Sequence, residues 1–376
     1  MKVLITGSKG FVGNNLIKTL QYDKSVEVFE YSRANSLSDL SRYTKECDFV
    51  IHLAGVNRTD NRQDFYDVNS DLTKTLISSL EANNNFVPIL LTSSIHSDAD
   101  NDYGMSKKAG EELVIEYSKA NNTPVYIYKL PNLFGKWSKP FYNSVVATWS
   151  YQIANSEEIS ISDESVQIQL LYIDDLIAEI ISKLNYQSDH TEYYYEISPT
   201  YLISLKKLAE TLKSFKANRK SLYIADMSND LERKLYSTYL SYLPNDDFKY
   251  ELVTHSDSRG SFTELLKSIS FGQVSVNIAK GFEIKGNHWH HSKNEKFIVV
   301  KGQAKIKFRN VLDDQVIEYL VSDEKFEVVD IPTGYVHTIE NLLAEDLITI
   351  MWVNEPYDEN KSDTYIEKVE ILWEKY

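Results

Sequence analysis

Lys2-Val-Leu-Ile-Thr-Gly7-Ser-Lys-Gly10-Phe-Val-Gly13, at the start of the chain, decides how its first half reads. A short apolar run ends at a glycine, two more glycines follow at intervals of three, and an amphipathic stretch then begins. Gly7 permits a tight turn, Gly10 lets backbone approach a pyrophosphate, and Gly13 lets a helix pack closely on the strand. A helix opening at Phe11 and Val12 points free N–H groups at the phosphates. The stretch therefore predicts a strand–loop–helix unit that holds a dinucleotide.

Working outward, residues 2–6, 26–31, 48–53, 87–93 and 125–130 read as strands buried on both faces. Residues 11–22, 63–83 and 103–121 carry apolar side chains at helical spacing. That alternation predicts an α/β, Rossmann-type, doubly wound parallel sheet. From about 217 to 249 the pattern weakens, with NRK, DMSND and LPNDD as punctuation, and the connection between domains is expected there. Beyond 251 come closely spaced strand candidates at 272–277, 296–300, 304–309, 316–321, 325–331 and 347–353. Many short strands without long helices predict an all-β barrel or sandwich. The expected domains are 1–245 and 246–376.

Bulk properties agree with two globular domains. A chain of 376 residues exceeds one ordinary domain, and 42% hydrophobic content supplies real cores. A formal charge of −15 argues against nucleic acid, whose phosphates call for a basic patch. Cys47 is the one cysteine, which excludes an intramolecular disulfide and suits a reducing compartment. No apolar run approaches the roughly 18 residues of a membrane span, and no hydrophobic leader precedes the first strand. The expectation is a cytoplasmic protein with no membrane partner.

At the end of the second strand, an acidic residue would read the ribose 2′-hydroxyl of NAD, and an arginine would accommodate the 2′-phosphate of NADP. Arg33 favours NADP, whereas Glu30, inside the strand, is the acidic alternative. Tyr103 and Lys107 stand four apart on one helix face. A nearby ammonium is expected to lower the phenol pKa, so that Tyr103 can donate a proton to a carbonyl oxygen as hydride arrives. Ser94, ending the fourth strand, can hydrogen-bond that oxygen.

GSKGFVG, HLAG at 52–55, SS at 93–94, Tyr103 with Lys107, LPNLFG at 130–135 and YIDDL at 172–176 resemble the extended short-chain dehydrogenase/reductases of nucleotide sugars. The resemblance spans about the first 215 residues. It implies a catalytic trio of Ser94, Tyr103 and Lys107, and places Asn132 near substrate. Cofactor contacts fall on Gly7, Gly10, Phe11, Val12, Gly13, Arg33, Leu53, Ala54 and Gly55, with Tyr103 and Lys107. Dehydrating members carry Asp-Glu after the catalytic hydroxyl. Ile95 and His96 stand there instead, which favours simple carbonyl reduction.

In the second half, His288 and His290 alternate onto one face of a strand, Glu295 starts the next, and His337 lies on a distant one. Three imidazoles and a carboxylate suit zinc or another divalent transition metal. The two motifs containing them resemble the paired signatures of the cupin superfamily, which implies a metal-binding β-barrel. Asp257-Ser-Arg259-Gly260-Ser-Phe-Thr-Glu264 resembles a segment of the dTDP-4-keto-6-deoxysugar epimerases, cupin-fold enzymes that invert carbon beside a ketone. Arg259 could then pair with a nucleotide diphosphate. His290, His291, Lys285 and Tyr335 remain open as the base.

End to end, the chain resembles the CapF-type family of capsular polysaccharide synthesis. That resemblance implies C3 epimerisation of a UDP-2-acetamido-2,6-dideoxy-4-hexulose by the cupin domain. NADPH reduction at C4 then gives the UDP-N-acetyl-6-deoxytalosamine product. Cupins often pair through edge strands, so a homodimer is expected. Two rival readings are an NAD-dependent C4 epimerase that regenerates its cofactor, and a cupin that is a non-catalytic metal-stabilised dimerisation or sensing module.

Overall fold

Strands that are apolar on both faces need helices above and below them, and that requirement shapes the first part of the chain. The computed structural model describes residues 1–184 and 192–370, so the last six positions of the expected second domain lie outside the described residues. β1 (Lys2–Thr6), β2 (Glu27–Tyr31), β3 (Phe49–His52), β4 (Ile89–Ser94) and β5 (Val125–Leu130) form a parallel sheet in the order β2-β1-β3-β4-β5. The crossovers are α1 (Phe11–Leu20), α2 (Leu37–Glu46), α3 (Gln63–Tyr66) continuing into α4 (Leu72–Ala82), and α5 (Asp102–Asn121). On one face, Leu16 and Leu20 of α1 pack with Val3, Ile5, Ile51 and Tyr126. On the other, Leu40, Leu76, Leu80 and Val114 cover Leu4, Val50, Leu91 and Ile127. Neighbouring strands run to opposite sides of β1 and β3, which places a ligand crevice at their carboxyl ends.

Two local features differ from the pattern. α2 lies in a stretch that periodicity leaves unassigned, because only Leu40 and Thr44 are buried along it. A capping box starts it, with the Ser36 side chain accepting from the Asp39 N–H and the Asp39 carboxylate accepting from Ser36. The helix expected over 63–83 is broken by a π-turn at Asp67–Asp71, which buries Asn69 and Ser70.

Chain beyond β5 builds a three-stranded sheet, β6 (Asn132–Phe134), β7 (Gln167–Tyr172) and β8 (Tyr201–Ser204), with α6 (Val145–Ala154) and α7 (Ile173–Lys183). α8 (Leu205–Ser221) and α9 (Asp230–Leu240) follow. Contacts divide the chain into Met1–Lys213 with Lys234–Pro244, and Ser214–Arg233 with Asn245–Tyr376. The stretch expected as a plain connection is thus shared between the two units, because its polar punctuation conceals a helix.

The second unit holds β9 (Thr254–Asp257), β10 (Gly260–Ser268), β11 (Gly272–Ala279), β12 (Ile284–Trp289), β13 (Glu295–Lys301), β14 (Gln303–Asn310), β15 (Val316–Ser322), β16 (Val328–Ile331), β17 (Tyr335–Asn341), β18 (Leu347–Val353) and β19 (Tyr365–Ile366). They form two antiparallel sheets, β16-β13-β18-β11-β10-β9 and β15-β14-β17-β12-β19. Phe297, Val299 and Leu347 of the first pack with Ile306, Phe308 and Ile339 of the second. β11 turns its polar side inward: Gln273, Ser275 and Asn277 are buried, while Val274, Val276 and Ile278 are half-buried.

Gly13 offers a test of how α1 seats on the first loop, since a Cβ there would lie 2.4 Å from the Gly7 carbonyl oxygen. Alanine in place of a helical glycine ordinarily adds about 1 kcal/mol of stability. Gly13→Ala is expected to lose about 1–3 kcal/mol through the clash, read from denaturant unfolding. A gain would refute this packing.

Candidate active site and metal centre

The first loop is shaped by backbone meeting backbone. Gly7 adopts φ +69°, and a Cβ there would lie 2.7 Å from the Ala54 nitrogen, so this loop and Leu53–Gly55 pass in contact. The Gly10 N–H donates to Gly7 O at 2.9 Å, and α1 starts from Gly10 with no side-chain cap. Its first amides, at Phe11, Val12 and Gly13, thus have no capping side chain, while the buried Ser8 hydroxyl has no hydrogen-bond partner among the described residues. Free amide donors at a helix N-terminus and an unpartnered buried hydroxyl fit a pyrophosphate-bearing nicotinamide cofactor. At the ribose end, Lys9 pairs with Glu30 at 2.6 Å, whereas Arg33 is exposed with no ion pair among the described residues.

Ser94, Tyr103 and Lys107 come together between β4 and α5. The Ser94 hydroxyl lies beside the Tyr103 phenol, and Lys107 Nζ donates to Thr92 O at 2.7 Å. Lys107 is 8% exposed and stands 3.6 Å from the Cβ that Gly55 lacks. Burial pushes its ammonium down to about 8, with Glu111 opposing. For Tyr103 the direction differs from expectation: burial raises the phenol, and the Ser94 hydroxyl only partly offsets it. Desolvation of the ring is the largest cause.

Sequence reasoning missed Asn69 and His52. Asn69 is 3% exposed, accepts from Val56 N at 2.9 Å, and donates to Val56 O and Ser106 Oγ, both at 3.0 Å. It ties the loop after β3 to α5, and only the π-turn aims it there. His52 bonds Thr6 at 2.6 Å and Thr73 at 2.9 Å, and burial together with Lys107 pushes it down to about 3. It is a neutral strut between β1, β3 and α4. Ile95 and His96 are exposed, and the Asn132 amide is bonded to Gln169 O at 3.2 Å rather than to any of the trio.

In the second unit, His288, His290, Glu295 and His337 bring one ligand atom each within 4.8 Å of one another. β12 and β17 pair His288 with His337, with a register shift between Gly286 and His288, and β13 starts at Glu295. Glu295 Oε2 lies 3.2 Å from His337 Nε2 and 3.7 Å from His290 Nε2. Burial opposes ionisation of Glu295, but the two imidazoles outweigh it and hold the carboxyl at about 2. Burial and the neighbouring imidazoles push His288 down to about 4. Apart from these ionic contacts, His290 Nε2 and Glu295 Oε2 are buried with no hydrogen bond among the described residues. An ionised carboxylate beside the unprotonated His288, in a cluster of three imidazoles whose ligand atoms converge, fits a divalent cation.

No sequence signal marks the groups that orient these side chains. His290 Nδ1 bonds the Asp363 carbonyl, leaving Nε2 facing inward. The Asp363 carboxylate accepts from the amides of His291, Ser292 and Lys293 at 3.0, 2.8 and 3.1 Å, and these bonds outweigh burial to hold it well below the usual range. In the His290-His291 doublet, His290 turns in and His291 is exposed beside Trp289. Lys285 is already committed to Ser261 O, Asn277 Oδ1 and Ile278 O. Arg259 is not brought to the metal set. It pairs with Asp257 at 2.7 Å, next to Gly260, which faces Ala279; Glu295 shares a row with Val353 and Gln273, about 20 Å away along β11.

Residues 3–194 match the NAD dependent epimerase/dehydratase family, and residues 255–365 match a polysaccharide biosynthesis C-terminal domain. The UDP-2-acetamido-2,6-beta-L-arabino-hexul-4-ose reductase of Pseudomonas aeruginosa is 42% identical over 365 residues, covering 97% of this chain and 98% of that protein. The crystal structure of the capsular polysaccharide assembling protein CapF from Staphylococcus aureus superposes with a TM-score of 0.90 at 46% identity, covering 98% of this chain and 100% of that one. A UDP-glucuronic acid 4-epimerase from Bacillus cereus, in complex with NAD, shares the fold over 58% of this chain and 84% of its own, with a TM-score of 0.53 at 18% identity.

His52 supplies a test of the first cluster through pH. Its folded pKa, about 3, lies below the ordinary 6.5, so its contribution is complete above 6.5 and fades as pH falls towards 3. Between pH 7.5 and 5, that loss is on the order of 2 kcal/mol. Urea unfolding of His52→Gln is expected to show a correspondingly shallower pH slope. A slope as steep as wild type would place the titration elsewhere.

Proposed function

The chain belongs to the NAD dependent epimerase/dehydratase family, and from that premise we propose a bifunctional UDP-sugar enzyme of capsular polysaccharide synthesis. Residues 246–376, closing as a cupin barrel, epimerise C3 of a UDP-2-acetamido-2,6-dideoxy-4-hexulose. Residues 1–245 reduce the C4 ketone with NADPH, giving the UDP-N-acetyl-6-deoxytalosamine product. One observation carries this reading: the chain builds two reactive clusters of different chemistry, and a single ketone serves both. Reduction consumes the ketone, and epimerisation needs it to acidify the neighbouring C–H. The names borne by the Pseudomonas reductase and the Staphylococcus capsule protein support the substrate class.

In the reductase site, Gly7, Gly10, Phe11, Val12, Gly13 and Leu53–Gly55 hold the cofactor, which supplies a hydride to C4. Tyr103 gives the C4 oxygen its proton, and Ser94 donates a hydrogen bond to that oxygen. Lys107 stabilises the phenolate left behind. Arg33 takes the 2′-phosphate, and the Lys9 pairing that occupies Glu30 supports NADPH over NAD. Asn132 contacts the sugar. In the cupin site, His288, His290, Glu295 and His337 hold a divalent metal, zinc by its donor set, which supplies Lewis-acid polarisation of a carbonyl. Ligating histidines cannot also be free bases, so another side chain takes the C3 proton.

We place the enzyme in the cytoplasm, as a homodimer. β15 is an edge strand exposed from Val316 to Leu320, which suits pairing of two copies.

Separate variants test whether the two chemistries belong to separate clusters. Tyr103→Phe is expected to cut NADPH oxidation by about 100-fold or more while C3 proton exchange with D2O continues. Glu295→Gln is expected to lose bound metal by elemental analysis and to stop that exchange. Exchange that survives in the metal-free variant would remove the cupin from the chemistry, and turnover without net NADPH consumption would favour a cofactor-regenerating C4 epimerase. Arg33→Ala is expected to raise KM for NADPH on the order of tenfold with KM for NADH little changed. An equal rise for both cofactors would refute the phosphate contact.

A further inference from the structure

Thr92, Ser93 and Ser94, the last three residues of β4, each face a different residue of α5. Lys107 donates to Thr92 O and Ser93 donates to Glu111, while the Ser94 hydroxyl lies beside the Tyr103 phenol. Tyr103, Lys107 and Glu111 are spaced by four, so they share one helix face. The proposed chemistry uses the first two and leaves Glu111 without a part.

Glu111 is 0% exposed. Burying an ionised carboxylate is costly unless its oxygens are well paired, and here they are. Oε1 accepts from Ser93, and Oε2 accepts from the Tyr194 hydroxyl at 2.9 Å. The ammonium groups of Lys108 and Lys129 lie 3.8 and 3.9 Å from Oε2, and Asp98 bridges those two lysines at 3.0 and 2.5 Å. The carboxylate therefore joins α5 to the end of β4 and to β5.

We propose that Glu111 is a positioning residue of the reductase site, fixing the register of β4 against α5 so that Ser94 meets Tyr103, and supplying the buried negative charge opposite Lys107. The proposal rests on the reductase reading. Around Lys107 stand the neutral His52 on β3, the Thr92 carbonyl on β4, and Tyr103 and Glu111 on its own helix, with the uncharged Asn69 and Gly55 beside it. Among the described residues Glu111 is the carboxylate that acts on Lys107, opposing the burial that favours loss of its proton. Lys108, Lys129 and Tyr194 face Glu111 from the other side.

Glu111→Gln keeps the shape and removes the charge. It is expected to lower kcat by about 10- to 100-fold, with KM nearly unchanged, and to move the alkaline limb of the pH profile to lower pH. Glu111→Asp should restore that limb. Ser93→Ala keeps the charge, so kcat should fall with the limb unmoved, and its effect should be non-additive with that of Glu111→Gln. NMR titration of Lys107 in lysine-labelled protein, assigned with Lys107→Met, needs no substrate and is expected to show the same downward shift in Glu111→Gln. Should wild type fail to oxidise NADPH, the reductase reading falls while the titration still decides the role of Glu111. An unmoved Lys107 titration, a wild-type kcat in Glu111→Gln, or additive Ser93 and Glu111 effects would overturn the proposal.

Discussion

Backbone contact between Gly7 and Ala54 is the constraint on which the first unit depends. No side chain fits between these loops, so the carboxyl ends of β1 and β3 are drawn together and the start of α1 is aimed across the gap. The remaining parts are placed relative to that crevice. His52, one residue before Leu53, braces β3 against β1 and α4, and Asn69 fastens the next loop to α5. α5 in turn carries Tyr103 and Lys107. A Cβ at Gly7 would push on the loop that sits closest to Lys107, although it lies on a different strand.

Both units bury polar and charged groups, and both offset the cost by tying each group to several elements at once. In the first, Lys107 rests on a strand carbonyl and Glu111 on two hydroxyls and two ammonium groups. In the second, Glu295 is encircled by imidazoles, with Asp363 holding the loop that presents His290. Partly satisfied buried groups destabilise a protein, whereas fully tied ones fix a unique arrangement. That distinction separates the struts from His290 Nε2 and Glu295 Oε2, which meet each other by ionic contact and have no hydrogen bond among the described residues.

The sheet strands and the clustered histidines are legible in the sequence because their signals are local. An apolar run between turn residues announces β1 or β5, and alternation along β12 carries His288 towards its partners. Features built by distant partners are not legible. α2 is held by its cap more than by an apolar stripe, and Asn69 reaches its loop only through a π-turn. The polar inner face of β11, made of Gln273, Ser275 and Asn277 with Lys285 bonded to Asn277, is likewise unmarked in the sequence. Asp363 is more than seventy residues from the histidine whose ring it orients, and no spacing rule links them. Likewise, the spacing of Tyr103 and Lys107 suggests an acidified phenol, whereas burial drives Tyr103 the other way.

The central claim is that one chain performs both steps on one sugar. Its most direct test is mass and NMR analysis of the product formed by the full chain from the 4-keto UDP-sugar in D2O with unlabelled NADPH. The account requires one solvent deuterium at C3 and hydrogen from the cofactor at C4, with NADPH consumed in equal amount. Product carrying hydrogen at both carbons would contradict epimerisation by this protein, and deuterated sugar that never loses its ketone would contradict the reductase.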